Sequence, residues 1–207
     1  MEFTEVVRSR RMVRRYDPDR AVPRELVERC LANAVRSPSA GFSQGWDFLV
    51  LRTTEERDAF WAATTQPGVP SDPWLDGIRA APVLVLCLSH KDAYLDRYAA
   101  PDKGWTDRDE ARWPVPYWDV DTGMASLLIL LTATDEGLGS LFFGVPPERH
   151  EAVHESFAIP ASRTIVGVVS IGYAVSGPKS PSLRRHRRSG HEVAHWGRFG
   201  VAGEDAS

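Results

Sequence analysis

Ser37-Pro38-Ser39-Ala40-Gly41-Phe42-Ser43-Gln44-Gly45-Trp46-Asp47-Phe48 is a turn that empties into an apolar strand. Proline, serine and glycine punctuate its first half, and Trp46 to Leu51 reads as the strand. Upstream, Pro23 opens a helix whose apolar positions Leu26, Val27, Cys30, Leu31 and Ala34 follow helical spacing. The order is therefore helix, turn, strand. That order removes one tempting reading. Gly41-Phe42-Ser43-Gln44-Gly45 matches the G-x-S-x-G nucleophile elbow, but the elbow needs a strand before the serine and a helix after it. Ser43 is read as a turn residue.

Working outward, Phe3, Val6, Val7, Arg10, Arg11 and Arg14 follow helical spacing as far as Asp17-Pro18. This predicts a helix on which Arg10 and Arg14 share a face. Thr54-Glu55-Glu56 starts a helix running to Ala63. Val83 to Leu88 is a continuous apolar run, as expected of a strand covered on both faces. Residues 96–118 read as an irregular stretch rich in Trp, Pro and charge. A long loop inside a compact domain is functional or disordered, and Trp105, Trp113, Tyr117 and Trp118 favour a functional lid. A helix from Val120 to Glu136, apolar nearly all round, should be central, with Gly137-Leu138-Gly139 as its stop. Pro146 to Phe157 reads as a surface helix, and Ile165 to Val169 as another strand. The class is α+β: one domain over 1–207, helices around about four strands, with a basic tail at 176–207.

The 207 residues carry a formal charge of -3 with 43% hydrophobic and 26% charged residues, an ordinary soluble balance. The sequence pI near 6.1 speaks against nucleic acid as a partner. Cys30 and Cys87 sit in apolar surroundings and read as buried free thiols. There is no apolar run of spanning length and no leader-like start, so no membrane is expected and the cytoplasm is the default. His150-Glu151-Ala152-Val153-His154 and His191-Glu192-Val193-Ala194-His195 both match H-E-x-x-H. Neither has a third ligand in sight, so no metal is expected. Gly137, Gly139 and Gly144 make neither a dinucleotide fingerprint nor a phosphate loop.

What does add up is the distribution of arginine. One cluster spans Arg8 to Arg15 and another Arg184 to Arg188, which suits a phosphate held from both ends of the chain. A flavin mononucleotide needs such a cationic site, a backbone donor near N5 and a positive group near N1. Here the sequence resembles the nitroreductase family of FMN-dependent oxidoreductases, over nearly its whole length. The resemblance rests on Arg10-Arg11-Met12-Val13-Arg14, on Pro38 to Phe48, on Gly137-Leu138-Gly139-Ser140 after the long helix, on Gly172-Tyr173, and on Arg185 and Arg187 in the tail.

The resemblance implies a nitroreductase-like fold with a central, mostly antiparallel sheet flanked by helices, assembled as an intertwined homodimer. Arg10, Arg185 and Arg187 would hold the FMN phosphate. Arg14 would lie at the N1–O2 edge and stabilise the reduced, anionic ring. Arg11 and Met12 belong to the same cofactor segment. Pro38, Ser39, Ala40, Phe42 and Gln44 would reach a flavin bound mostly by the partner subunit. Phe143 and Gly144 match the loop whose backbone N–H meets N5. Part of the long helix would face the other chain. Met12, Phe42 and Gly45 depart from the family's usual Ser or Thr, Asn and Pro, removing a hydroxyl and an amide contact. The implied reaction is ping-pong: NADH or NADPH as electron donor, then a small flat acceptor such as a nitroaromatic or a quinone. Trp113, Tyr117 and Trp118 would form substrate-binding walls, and no catalytic side chain is named. The alternatives are a flavin-sequestering protein without reductase activity, and a relative using the deazaflavin F420.

Overall fold

The computed structural model describes residues 1–66, 68, 70–177 and 184–201. Met1–Val175 form one compact unit and Ser176–Ser207 a second.

In the first unit four strands make one sheet: β1 (Trp46–Leu51), β2 (Val83–Ser89), β3 (Gly139–Phe143) and β4 (Thr164–Gly172). The order is β1-β2-β4-β3, and every neighbouring pair is antiparallel. Every residue of β2 is buried, which is the physical meaning of its unbroken apolar run. Leu84, Leu86 and Leu88 point into one core with Phe60, Trp61 and Val153. Val83, Val85 and Cys87 point into a second core with Val27, Cys30, Ala125 and Ile129. Strand alternation thus divides the hydrophobic residues between two layers.

Helices cover both faces: α1 (Phe3–Ser9), α2 (Arg24–Ala34), α3 (Thr54–Thr64), α4 (Pro73–Arg79), α5 (Lys91–Ala99), α6 (Tyr117–Asp135) and α7 (His150–Ser156). The α3 start carries a capping box, Thr53 with Glu56, which satisfies backbone donors that the first turn leaves free. The long helix α6 ends at Gly137, in the left-handed region at φ 72°. Leu138 N–H donates to the Ala133 carbonyl there at 2.7 Å.

Three expectations are corrected. First, the helix expected to run from Phe3 through Arg14 stops at Ser9. Arg10 is its C-cap, with extended dihedrals (φ -51°, ψ 127°). Arg10, Arg11, Met12 and Arg14 therefore lie on an extended segment, not on a helix face. Met12 bridges Ser140 in parallel and Tyr16 bridges Ala174, and Val13 N–H donates to the Ser140 carbonyl at 2.9 Å. A helix here would stack Arg8 with Arg11, Arg10 with Arg14 and Arg11 with Arg15, like charges at neighbouring positions. The free edge of β3 offers backbone partners instead.

Second, residues 96–118 are not irregular throughout: α5 reaches Ala99, α6 begins at Tyr117, and a 3-10 turn, Glu110–Arg112, lies between them. Third, α4 is a short helix that the sequence pattern did not reveal. Asp72 caps it, accepting from Leu75 N–H at 2.7 Å, with Pro73 in the first turn. Its Gly77 packs against the arginine segment, and a Cβ there would lie 2.2 Å from the Arg14 carbonyl oxygen.

The helix α6 is not fully enclosed. Val120, Met124 and Leu127 are exposed and follow one helical stripe. Neighbouring α1 exposes Phe3 and Val7.

The second unit contains α8 (Gly190–Val193), capped reciprocally by Ser189 and Glu192. His186 Nε2 meets the Glu192 carboxylate at 2.9 Å. Arg184, Arg185, Arg187 and Arg188 are exposed. Parts of the expected basic tail, 178–183 and 202–207, lie outside the described residues. Among the described residues no helix is long and apolar enough to cross a membrane.

Candidate functional site

The cofactor residues expected within the first unit fall on two edges of its sheet. At the β3 edge runs the arginine segment. Arg10 is half-buried, and its Nη1 is buried with no hydrogen-bond partner among the described residues. An unpaired buried donor costs about 1–3 kcal/mol, more when charged. Arg11 is exposed and turns back to the Arg10 carbonyl at 2.9 Å. Arg14 Nη1 donates to the Met12 carbonyl at 3.0 Å. At the end of β3, the Phe143 ring is committed to packing, stacked on Trp61 at 5.9 Å and 11°. Gly144 is exposed, and a Cβ there would meet nothing within 4 Å.

At the β1 edge lies the turn 38–44. Gly41 has φ 61° and packs so closely on Tyr98 that a Cβ would sit 2.6 Å from the ring. Phe42 and Gln44 also adopt positive φ, at 57° and 50°, a conformation that side chains other than Gly and Asn resist. Internal hydrogen bonds hold the turn. Ser39 Oγ accepts from Gln44 N–H at 3.0 Å, and Ser43 Oγ donates to the Ala40 carbonyl at 2.7 Å. The Ser43 hydroxyl is thus engaged locally. Pro38 and Phe42 are exposed.

One residue outside the sequence expectations anchors this turn. Asp121, on α6, is only 2% exposed. Its Oδ2 accepts from Ala40 N–H at 2.8 Å and from the Tyr94 hydroxyl at 2.8 Å. Burial first, and the Asp121 bond second, push the Tyr94 hydroxyl's pKa upward. In the sequence Asp121 stands in the first turn of the expected helix, where an acid is ordinary, so nothing there marked it.

Trp113, Tyr117 and Trp118 do come together, with Trp113 at the centre. Its ring lies 5.8 Å from Tyr117, 6.0 Å from Trp118 and 4.6 Å from Tyr98 on α5. Trp105 joins the same group, 5.6 Å from Trp113. Tyr117 is exposed, whereas Trp113 and Trp118 are half-buried. The cluster adjoins the β1-edge turn through Tyr94 and Tyr98. It does not adjoin Arg10 or Gly144 along the sheet. Three inter-strand steps of about 4.8 Å separate the β1 and β3 edges by roughly 14 Å. Arg185 and Arg187 stand exposed in the second unit.

The histidines of the first H-E-x-x-H match are bonded to backbone, His150 to the Val145 carbonyl and His154 to the Ile159 carbonyl. Among the described residues no three His, Cys, Asp or Glu side chains converge as metal ligands.

Sequence reasoning also missed what lies beside Gly144. Trp74, on α4, is 45% exposed and meets the Phe143 ring edge-on at 6.5 Å. The same two elements, α4 and the segment after β3, also line a recess of about 280 Å³, with Thr65, Leu75, Arg79, Pro146, Glu148 and Arg149 in its wall.

A model of the Nitroreductase family matches residues 7–173. A protein of Archaeoglobus fulgidus, provisionally named an NADH dehydrogenase/NAD(P)H nitroreductase, is 30% identical over 178 residues, 83% of this chain and 85% of that one. The 4-nitrobenzoate reductase of a Nocardioides species is 31% identical over 209 residues, with 83% of this chain and 80% of that one covered. Among solved structures, a protein of Exiguobacterium sibiricum crystallised in complex with FMN superposes with a TM-score of 0.71 at 21% identity, over 95% of this chain and 97% of that one.

Proposed function

The chain belongs to the nitroreductase family, and on that premise we propose that it is an NAD(P)H-dependent oxidoreductase that holds FMN and reduces a small flat acceptor such as a nitroaromatic or a quinone. The observation that carries this reading is the β3 edge. There Arg10, whose buried Nη1 has no hydrogen-bond partner among the described residues, lies two residues before Met12, which bridges Ser140 on β3, and the exposed Gly144 directly follows that strand. A guanidinium left with a free donor fits a phosphate oxygen, and an unobstructed glycine lets a planar ring approach the chain closely.

When bound, FMN supplies a two-electron store that accepts hydride from the nicotinamide and surrenders it to the second substrate. The chain's own residues do the rest. Arg10 would hold the phosphate, the role that the family resemblance implies for it. Arg14 would set a fixed positive charge beside the ring, the role that the family resemblance implies for it, where negative charge builds up on reduction. The exposed backbone at Gly144 would supply the N–H that the family resemblance assigns to the flavin N5. Arg11 and Met12 belong to the same segment but present no buried donor.

Homodimer assembly is part of the proposal, supported by the separation of the two edges. Pro38, Ser39, Ala40, Phe42 and Gln44 would complete the site of a second chain, and Trp113, Tyr117 and Trp118, adjoining that turn, would wall the acceptor from the same side. The exposed apolar stripe on α6 suits such an interface. The named 4-nitrobenzoate reductase among the relatives supports a nitroarene as acceptor.

The test is the visible spectrum of the purified protein, followed by release and identification of its chromophore and by turnover with NADH and NADPH. Arg10→Ala should weaken FMN binding by about 1.5–3 kcal/mol, the worth of a charge-assisted contact. Unchanged FMN affinity in that variant refutes the assigned phosphate role. A colourless protein that also refuses added FMN ends the proposal.

A further inference from the structure

We infer that the recess between α4 and the segment after β3 is the anion-recognising end of the acceptor site, where Arg79 and Arg149 take the carboxylate of a single-ring aromatic acid. The inference rests on the proposed flavin site only for its place in catalysis. The recess stands on its own geometry.

Arg79 comes from the last turn of α4, and Arg149 from the 3-10 turn Pro147–Arg149. Both line the recess. The Nε of each is buried without a hydrogen-bond partner among the described residues, and neither guanidinium has a carboxylate partner there. Arg79 Nη2 has only a long contact to Thr65 Oγ1, at 3.4 Å. Native structures rarely leave buried polar atoms unpaired, and water, an anion or a ligand completes them. Two such guanidiniums in one recess make the case stronger than either alone.

Position links the recess to the chemistry. The Arg79 guanidinium lies 5.9 Å over the Trp61 ring, Trp61 stacks on Phe143, and Phe143 directly precedes Gly144. Pro146, two residues past Gly144, forms part of the wall. The exposed Trp74 ring, packed on Phe143, offers a flat surface beside the same loop.

Chemistry and size choose the ligand. Guanidinium forks match planar oxyanions in bidentate fashion. The volume of about 280 Å³ lies at the small end of ligand pockets, which suits one ring and its carboxylate better than an adenosine phosphate. Glu148 is the acidic residue in the lining. Its charge opposes a phosphate dianion more strongly than a carboxylate monoanion.

The experiment titrates benzoate, methyl benzoate and inorganic phosphate calorimetrically into the full chain, before and after loading with FMN. It compares wild type with Arg79→Gln, Arg149→Gln and the double variant, each checked for an unchanged melting profile. Wild type should bind benzoate more tightly than phosphate or the ester. Each single variant should lose about tenfold in benzoate affinity, and the double variant should show no measurable binding. In the loaded enzyme, kcat/KM for 4-nitrobenzoate should fall at least tenfold in either variant, while that for methyl 4-nitrobenzoate stays put. Equal benzoate affinity in wild type and the double variant overturns the inference, as does an equal fall for acid and ester. Tighter phosphate than benzoate binding transfers the recess to the nicotinamide donor and also overturns it. A protein that takes no FMN ends the proposed function alone, since benzoate titration of the flavin-free chain still reads the recess.

Discussion

Replacing Asp121 should be among the most damaging single changes away from the hydrophobic cores. Its carboxylate is 2% exposed and accepts from the Ala40 N–H and the Tyr94 hydroxyl, both at 2.8 Å. Asp121→Ala strands the buried Tyr94 hydroxyl, at about 1–3 kcal/mol, and the half-buried Ala40 N–H, at about 0.5–1.5 kcal/mol, a loss of roughly 1.5–4.5 kcal/mol. Against a typical stability of about 5–15 kcal/mol, that approaches the unfolding threshold. Asp121→Asn keeps an acceptor oxygen in place but gives up the charge. A charge-assisted bond is worth about twice a neutral one, so this variant should lose only about 1–2 kcal/mol. Tyr94→Phe removes one donor together with its demand on the acid, and should couple to Asp121→Ala by at least about 0.5 kcal/mol in a double-mutant cycle. Urea midpoints at one fixed protein concentration measure all three, and hydrogen exchange at Ala40 reads the turn directly. An Asp121→Ala protein within about 1 kcal/mol of wild type, with Ala40 still protected, would refute the reasoning.

Gly77→Ala forces a Cβ to within 2.2 Å of the Arg14 carbonyl oxygen. It should cost about 1–3 kcal/mol and push α4 off the arginine segment, read as a lower melting temperature together with weaker FMN binding. Phe42→Gly should stabilise the chain by about 0.5–1 kcal/mol, because the ring is 76% exposed and its φ of 57° is strained for a side chain; a lower melting temperature would contradict this. The pH dependence follows from two thiols. Burial pushes Cys30 and Cys87 up to about 12, whereas thiols in an unfolded chain ionise near about 8.5. Over that window the native state holds more protons than the unfolded one. Stability should therefore be intact below about pH 8.5 and fall as pH rises towards 12, by up to about 1.4 kcal/mol per pH unit for each thiol. Urea midpoints from pH 7 to 10.5 check it, and a flat profile would exclude it.

The elements that were legible in the sequence are those whose signal is local. The strand β1 begins and ends where the turn 37–45 and the apolar run said it would, and β2 is covered on both faces as its unbroken hydrophobicity required. The long helix α6 differs from its expected bounds by three residues at one end and one at the other. What was not legible depends on partners distant in sequence. The Arg10–Tyr16 segment follows a helical pattern, yet backbone bonds to Ser140 and Tyr173 draw it into an extended path. α4 buries only Ile78, and α5 only Tyr94 and Leu95, too little periodicity to read without the sheet beneath them. The same limit applied to the site. Arginines and the Gly144 loop could be picked out by residue type and family resemblance. Asp121, Trp74, Arg79 and Arg149 acquire meaning only from what the fold brings beside them.

The strand order β1-β2-β4-β3 has a consequence for genetics. If each working centre takes its phosphate side from one chain and its covering turn from the other, defects at the two edges are not equivalent to two defects at one edge. A chain damaged at Arg10 and a chain damaged at Asp121 fail separately. Expressed together, they assemble hybrids in which one centre inherits both lesions and the other inherits neither. With such chains pairing at random, about half of the dimers would be hybrids with one intact centre of two, so roughly a quarter of the activity would return from two inactive alleles.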